Sequence, residues 1–289
     1  MSHQHPQTTQ QIGLRDAGAH FRSIVVHVQP DADALPRLKS AIALAHDLGA
    51  RLVGVGAEIA PPVSLGPTAA PEGAMFVELQ ALADANVRAA RDLFRTQTTK
   101  LFTVWREELT ESPADAMVRA ASANDLIVAG GSPLQERNEY RWCDPAQLVI
   151  RSGRPVLVVP PNGGALRAAA AVVAWKNTRE ARRALSDALP FLRCASKTTV
   201  LQVAPEDERG DDTTEIAAWL RLHGVNATAK VVQSNENSVA AELRKEAAMI
   251  GADLIVAGGY GHSRLGEWLF GGVTIELLHE PEYFVFVSH

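Results

Sequence analysis

Cysteine, aromatic residues and long apolar runs are all scarce in this sequence, and each shortage excludes a class of protein. The 289 residues include 2 cysteines, Cys143 and Cys194, and no Cys-x-x-Cys spacing, so neither a disulfide framework nor a cysteine zinc knuckle is available. Aromatic residues make up 6% of the chain, too few for a broad platform that stacks bases. No apolar run reaches about 18 residues, which argues against a membrane-spanning helix.

A large excess of positive or negative charge is also absent. The chain carries 28 basic and 33 acidic residues, a formal net charge of −5 with a pI near 6.0. A protein that coats nucleic acid or an anionic membrane needs a basic surface, so neither is an expected partner. Residues 1–21 are polar and begin without the apolar stretch of a secretory signal, so we expect a flexible arm. With no disulfide framework, the sequence predicts a cytoplasmic protein.

What the sequence does contain is an internal repeat. Residues 125–131 and 253–259 both read Asp-Leu-Ile-Val-Ala-Gly-Gly, at an offset of 128 residues. Each copy is preceded by apolar runs that alternate with helical patterns, and each is followed by one last apolar run. The halves differ in length, because Val25 to Asp125 spans 100 residues whereas Val172 to Asp253 spans 81. We therefore predict one fold used twice.

The order of the patterns predicts an α/β fold. Each half reads as five strands that alternate with four amphipathic helices, which is typical of a mostly parallel sheet covered on both faces. Right-handed crossovers then give two tandem doubly wound, five-stranded, Rossmann-like domains. The turn-forming segment 160–164 places the boundary, so we predict domains at 22–164 and 165–289. The additional length of the first half falls in a Pro/Gly-rich loop and a long helix near residues 61–100.

A glycine-rich segment follows the repeated strand of the second half. Gly258 and Gly261 would let backbone amides approach a phosphate, and Gly271 with Gly272 opens a helix whose N-terminus suits an anion. Such glycines also make ordinary turns and tight helix–strand contacts, and spacing alone leaves both interpretations open. Parallel sheets bind ligands beyond the carboxyl ends of their strands, which is where this segment lies.

The pattern Gly258-x2-Gly261-x9-Gly271 resembles the nucleotide signature of the universal stress protein family. The similarity extends from about residue 22 to the end of the chain as two tandem family domains, and the ending Val287-Ser288-His289 is also similar to that of many bacterial members. The resemblance implies an adenine nucleotide alpha hydrolase-like fold and an adenine nucleotide as partner, with ATP, with or without Mg²⁺, as cofactor. The residues placed at this site are Ala174, Trp175, Lys176, Gly258, Gly259, Gly261, His262, Arg264, Gly271, Gly272, Val273 and Thr274.

Two positions depart from the family pattern. The hydroxyl residue expected after the last glycine is Gly272, although Thr274 lies close by. The acid expected after the first strand of the domain is replaced by Lys176, which would reach a phosphate or stay solvated. Trp175 would stack on a base or cap the edge of the core. His262 and Arg264 would contact phosphate or remain exposed.

The first half has lost the motif. Pro133 occupies the position of the second glycine and has no N–H to offer, and Asp144 stands near the phosphate position, where an acid repels an anion. We therefore expect at most one nucleotide per chain, in the second half. The resemblance also implies that the last strands, within 155–159 and 283–287, pair inside the chain as a pseudo-dimer, with or without a further homodimer.

Other chemistries find little support in the sequence. The nine histidines form no His-Glu-x-x-His or similar spacing, and neither a P-loop nor a Gly-x-Ser-x-Gly elbow is present. We predict no catalytic residue and no metal site. Three functions stay open: a regulatory ATP-binding stress-response module, a nucleotide-free scaffold of the same family, and a slow ATPase or nucleotidyl transferase, for which no general base stands out.

Overall fold

The computed structural model describes residues 20–60, 72–109, 111–131, 140–204, 212–233, 238–259, 272–279 and 281–289. Within these ranges ten strands alternate with eight α-helices. None of the helices in the described ranges is long and apolar enough to cross a membrane.

The first half contains the expected five strands and four helices. They are β1 (Ser23–His27), α1 (Leu35–Leu48), β2 (Arg51–Ala57), α2 (Glu72–Gln97), β3 (Thr103–Glu108), α3 (Pro113–Ala121), β4 (Leu126–Gly130), α4 (Pro145–Arg151) and β5 (Val156–Val159). The long helix predicted in the additional stretch is present as α2.

The second half repeats this order. Its elements are β6 (Ala170–Ala174), α5 (Arg179–Leu192), β7 (Lys197–Ala204), α6 (Thr213–Leu222), β8 (Ala227–Gln233), α7 (Val239–Ile250), β9 (Leu254–Gly258), α8 (Gly272–Leu278) and β10 (Phe284–Ser288). Local sequence sets several of the ends: Thr178 and Ser238 each accept a backbone N–H at a helix start, and Gly251 ends α7 at φ 65°.

All ten strands join one sheet in the order β3-β2-β1-β4-β5-β10-β9-β6-β7-β8. The pairs within each half are parallel, and the central pair β5–β10 is antiparallel, with Val158 opposite Val285. The predicted doubly wound α/β fold is confirmed, and the last strands of the two halves pair with each other as expected. Because each half contributes one edge strand to this contact, neither exposes the apolar β5 or β10 edge.

The strands are buried because helices cover both faces of the sheet. Every residue of β1 and of β10 is buried, and alternate side chains enter two apolar clusters on opposite faces. Phe21 joins the halves on one face: it is 4% exposed, stacks on Phe191 at 5.2 Å between ring centroids and meets Phe286 edge-on. The last residue of the predicted arm therefore belongs to the core.

Candidate functional site

The carboxyl ends of β6 and β9 form the place where the sequence predicts a ligand. The strand order of the second half reverses between these neighbours, since β6 continues outward to β7 whereas β9 continues inward to β10. Ala174 ends β6 beside Ala257, and Gly258 ends β9. A crevice at such a reversal is the general ligand position in open α/β sheets.

Gly258 is required by close packing. A Cβ at this position would lie 2.4 Å from the backbone N of Ala181 and 2.7 Å from the carbonyl carbon of Glu180, so the first turn of α5 sits directly against the strand end. Because the obstructing atoms belong to backbone, even alanine would push the helix away. Tight helix–strand packing, one of the two interpretations left open by the sequence, accounts for this glycine.

Gly259 serves the contact between the halves. Its N–H donates to the Ser288 carbonyl at 2.8 Å, and its own carbonyl lies 2.9 Å from Nδ1 of His289. A Cβ there would lie 2.6 Å from Val149 of the first half. Gly131, its repeat equivalent, would likewise collide with Pro281 of the second half. The amide of Gly259 is therefore already engaged within the protein.

Gly272, Val273 and Thr274 begin α8 and mark the far end of the glycine-rich segment. Thr274 is 6% exposed, and its hydroxyl donates to the Gly258 carbonyl at 3.4 Å, which ties the two ends of the segment together. Gly272 is exposed, and among the described residues nothing lies within 4 Å of a Cβ added to it. Four predicted site positions lie outside the described residues: Gly261, His262, Arg264 and Gly271.

Trp175 packs in the core. It is 4% exposed, belongs to one of the two apolar clusters, and donates its indole N–H to Asp212 at 2.7 Å. This placement matches the core-edge interpretation of Trp175, since a ring that is almost fully buried has little face left for a base. Lys176, the next residue, is exposed, and its carbonyl accepts the N–H of Thr178 at 2.7 Å.

One acidic side chain at this end of the sheet was not predicted from the sequence to lie at the site. Glu180 is 7% exposed and lies on the first turn of α5, beside Gly258. Burial raises its pKa, but hydrogen bonds from its own N–H, the charge of Arg179 and the Thr178 hydroxyl together outweigh burial, so the pKa of Glu180 is lowered. The carboxylate is therefore ionised at neutral pH and takes the position that an anion would occupy at the helix N-terminus.

Cations surround this carboxylate on the surface. Lys176, Arg179, Arg182 and Arg183 are all exposed around the first turns of α5. Arg179 pairs with Glu180 at 3.0 Å, and Arg182 donates to the side-chain carbonyl of Asn177 at 2.5 Å. The rim of the crevice is thus basic while its wall carries one acid, an arrangement that would attract a phosphate chain to the rim rather than to the helix end.

The equivalent crevice of the first half lies between β1 and β4 and contains a buried guanidinium. Arg37 of α1 is 8% exposed, and its Nη2 donates to the His27 carbonyl at 3.1 Å and to Oε1 of Gln29 at 3.0 Å. Its Nη1 lies 2.9 Å from where a Cβ on Gly130 would stand. One arginine side chain therefore spans the carboxyl ends of both strands.

A second layer of polar residues closes this crevice. Arg141 pairs with Asp31 at 2.8 Å and with Glu58 at 3.2 Å, and Asn86 donates to Glu58 at 2.8 Å. Gln29 also donates to the Arg141 carbonyl. Burial raises the pKa of the Glu58 carboxyl, and this effect exceeds the lowering that Asn86 and Arg141 cause. The sequence analysis missed this network because its members come from four separate segments and form no local motif.

His27 is neutral in this environment. Its Nε2 contacts the Ala57 carbonyl at 3.0 Å, which requires a proton on Nε2. Burial, and secondarily the charge of Arg37, lowers the pKa of His27 to about 3. No group of three or more His, Cys, Asp or Glu side chains in the described ranges is arranged to hold a metal ion. Burial also raises the pKa of the Cys143 thiol to about 12, so it is not a nucleophile at neutral pH.

The fold defines a class: a tandem doubly wound α/β protein with a crevice at the carboxyl edge of each half, where open sheets of this kind generally bind their ligands. Comparison with models of protein families finds no match, and comparison with curated proteins finds none either. Solved structures do match over nearly the whole chain. A universal stress protein from Archaeoglobus fulgidus DSM 4304 is 12% identical with a TM-score of 0.65, over 92% of this chain and 95% of that one.

Two Pseudomonas aeruginosa structures also match. A functionally unknown protein from strain PAO1 is 17% identical with a TM-score of 0.55, over 95% of this chain and 94% of that one. A protein from strain UCBPP-PA14, assigned provisionally to the universal stress proteins, is 18% identical with a TM-score of 0.56, over 94% of each chain. The chain therefore has the tandem universal stress protein fold, and the resemblance found in its sequence is confirmed at the level of the fold.

Proposed function

We propose that this chain is a tandem universal stress protein that binds one adenine nucleotide, in its second half, and acts as a regulatory module in the cytoplasm. The proposal rests on two observations together: the glycine spacing of the family is kept, and a hydrogen bond joins the two ends of the glycine-rich segment. The segment from Gly258 to Gly272 keeps the family spacing, and the Thr274 hydroxyl ties its two ends together. Its backbone amides would hold the phosphates.

Two further features support the nucleotide proposal. The basic rim formed by Lys176, Arg179, Arg182 and Arg183 adds positive charge to a chain whose net charge is −5. Mg²⁺ bound with the phosphates would lower the repulsion from Glu180. In the described part of the first half, Arg37 spans the corresponding crevice instead.

A scaffold function without nucleotide is the second candidate. The Glu180 carboxylate favours it, because this buried acid lies at the start of α5, accepts its own backbone N–H there and repels a polyphosphate. The two family departures, Lys176 and Gly272, favour it as well. Hydrolysis of ATP receives no support from the described residues, where the one buried histidine at a crevice, His27, lies in the first half and is neutral.

Nucleotide content separates the two candidates. The purified protein is expected to carry adenine nucleotide, seen as excess absorbance near 260 nm and identified by chromatography after denaturation. Protein freed of nucleotide should gain thermal stability in about 1 mM ATP with Mg²⁺, because a ligand that binds only the folded state shifts the unfolding equilibrium. Absence of co-purified nucleotide together with an unchanged melting temperature would favour the scaffold.

Loss-of-site variants locate the nucleotide. Gly261→Ala and Gly271→Val should each abolish the ATP-dependent stabilisation, since a side chain would obstruct the approach of the phosphates. Ser132→Ala, at the corresponding point of the first half, should leave it intact. Equal effects of all three substitutions would show that the nucleotide binds elsewhere.

A further inference from the structure

The buried faces of α1 and α5 follow one pattern at an offset of 143 residues. Leu38, Ala41 and Ala45 on α1 correspond to Ala181, Ala184 and Ala188 on α5, and all six are buried. At this offset Arg37 corresponds to Glu180, and both are buried beside the glycine that ends the repeated strand, Gly130 and Gly258 respectively. Equivalent positions at the two crevices therefore carry opposite charges.

The two charged side chains use their crevices differently. Glu180 turns back to its own N–H and to Arg179, and the backbone of α5 packs against Gly258. Arg37 instead extends across the sheet edge, where Nη2 donates to the end of β1 and Nη1 lies over the end of β4. Its guanidinium occupies the space that a ligand takes in an open α/β sheet.

From this geometry we propose that Arg37 is a built-in ligand of the first half: its guanidinium fills a site shaped for a small planar cation with several N–H donors. The acceptors of that site among the described contacts include the His27 carbonyl and Oε1 of Gln29, and Gln29 is itself held by donating its side-chain N–H to the Arg141 carbonyl. The first half is closed because it is already occupied. The inference does not depend on nucleotide binding in the second half.

The acceptors explain why a guanidinium suits this site. A carbonyl and an amide oxygen both accept hydrogen bonds, and a planar group with N–H donors on adjacent edges reaches both at once. Lysine would place its charge at one point and could not span from Gln29 to the end of β4. His27 stays neutral beside the cation because burial, and secondarily the Arg37 charge, lowers its pKa to about 3, so no second positive charge competes with the guanidinium.

Chemical rescue tests the assignment. Arg37→Ala should lower the melting temperature by about 4 to 8 °C, because buried acceptors lose their donor. Guanidinium chloride at about 10 mM, far below denaturing concentrations, should then raise the melting temperature of this variant by about 2 °C relative to NaCl at the same concentration. The wild-type protein and Arg182→Ala, which removes an exposed arginine from α5, should not respond. A folded Arg37→Ala variant that gains nothing from guanidinium overturns the proposal.

A double-mutant cycle decides the question even if Arg37→Ala does not fold. Arg37→Met keeps an unbranched apolar stem and removes the planar head. Gly130→Ala should lower the melting temperature by about 2 °C in the wild type, where its Cβ meets Nη1, and by less than about 1 °C in Arg37→Met. If Gly130→Ala costs the same in both backgrounds, Arg37 does not occupy the crevice and the proposal falls.

Discussion

The two halves of the chain share strand order, helix order and seven identical residues at β4 and β9, yet their carboxyl edges differ. In the first half a cation, Arg37, reaches across the crevice and is supported by a polar network. In the second half an anion, Glu180, stays at its own helix end, and the glycine-rich segment begins and ends at the crevice. A duplicated fold can therefore fill one crevice with a single side chain while the other half keeps its glycine-rich segment.

The identical glycines of the repeat also differ between the halves in what surrounds them. Gly131 and Gly259 both make room for the opposite half, so each has a packing role in the pseudo-dimer. Gly130 and Gly258 both face the first turn of a helix, but one meets the end of a flexible side chain and the other meets backbone. Replacing either of these identical glycines by alanine should therefore destabilise the protein to a different extent.

The largest expected difference concerns these two glycines. Gly258→Ala should reduce the free energy of unfolding by about 3 kcal/mol, because its Cβ would displace the backbone of α5. Gly130→Ala should cost about 1 kcal/mol, since the Arg37 head can shift. Urea unfolding of the two variants without nucleotide provides the measurement, and equal costs would break the proposed difference between the crevices.

The pH dependence of stability is expected to come from the first crevice. His27 stays neutral in the folded protein down to about pH 3, whereas in the unfolded chain it takes up a proton below its ordinary pKa of 6.5. Stability should therefore fall as the pH drops below 6.5, by about 2 kcal/mol at pH 5 from this group. Urea unfolding at pH 7 and pH 5 measures the loss.

Replacing the histidine isolates its share. His27→Gln keeps a donor for the Ala57 carbonyl and should remove most of the loss between pH 7 and pH 5, while His46→Gln, at an exposed position, should not. Glu58 acts in the opposite direction, because its pKa is raised, chiefly by burial, and the folded state binds its proton first. An unchanged pH slope in His27→Gln would contradict the buried neutral assignment.

A smaller effect is expected from the acid of the second crevice. Glu180→Gln should tighten ATP binding by about 3- to 10-fold, because it removes a partly buried negative charge next to the predicted phosphate position. Asp187→Asn removes one charge from the same helix at its pair with Arg183 and should change the dissociation constant by less than about 2-fold. Calorimetric titration measures both. An unchanged dissociation constant in Glu180→Gln would place the phosphates away from α5, and weaker binding would show that the carboxylate contributes to the site instead of repelling the nucleotide.

The smallest expected effect on binding concerns Trp175. Trp175→Phe should change the dissociation constant for ATP by less than about 2-fold, because the ring is in the core and donates to Asp212. The same variant should lose about 1 kcal/mol of stability through that hydrogen bond. A large loss of affinity with stability unchanged would instead mean that the indole stacks on the base.

Periodicity and the repeat were sufficient to predict the order of all elements. The buried strands of a doubly wound sheet are continuous apolar runs and its covering helices are amphipathic, so both can be recognised in the sequence. The helix ends at Thr178, Ser238 and Gly251 also follow from local sequence, since caps depend on neighbouring residues. The crevice chemistry does not. Arg37 and Glu180 occupy positions that in the sequence look like any solvated charge, and their burial follows from strands that lie far away along the chain.

The role of single glycines was equally hidden. Sequence alone left phosphate binding and tight packing open for Gly258, and the family resemblance placed Gly259 at the nucleotide site. Only the three-dimensional distances to Ala181 and Val149 reveal the packing roles of these two glycines. Phe21 was assigned to the arm because nothing local marks it as core, whereas its partners Phe191 and Phe286 belong to the other half. Contacts between halves leave no local signal.

The number of ATP sites per chain tests the central difference between the halves most directly. Titration calorimetry on the intact protein is expected to give one site, lost in Gly271→Val and retained in Ser132→Ala. Two equivalent sites, or one site that survives Gly271→Val, would contradict an account in which Arg37 fills the first crevice and the second alone receives a nucleotide.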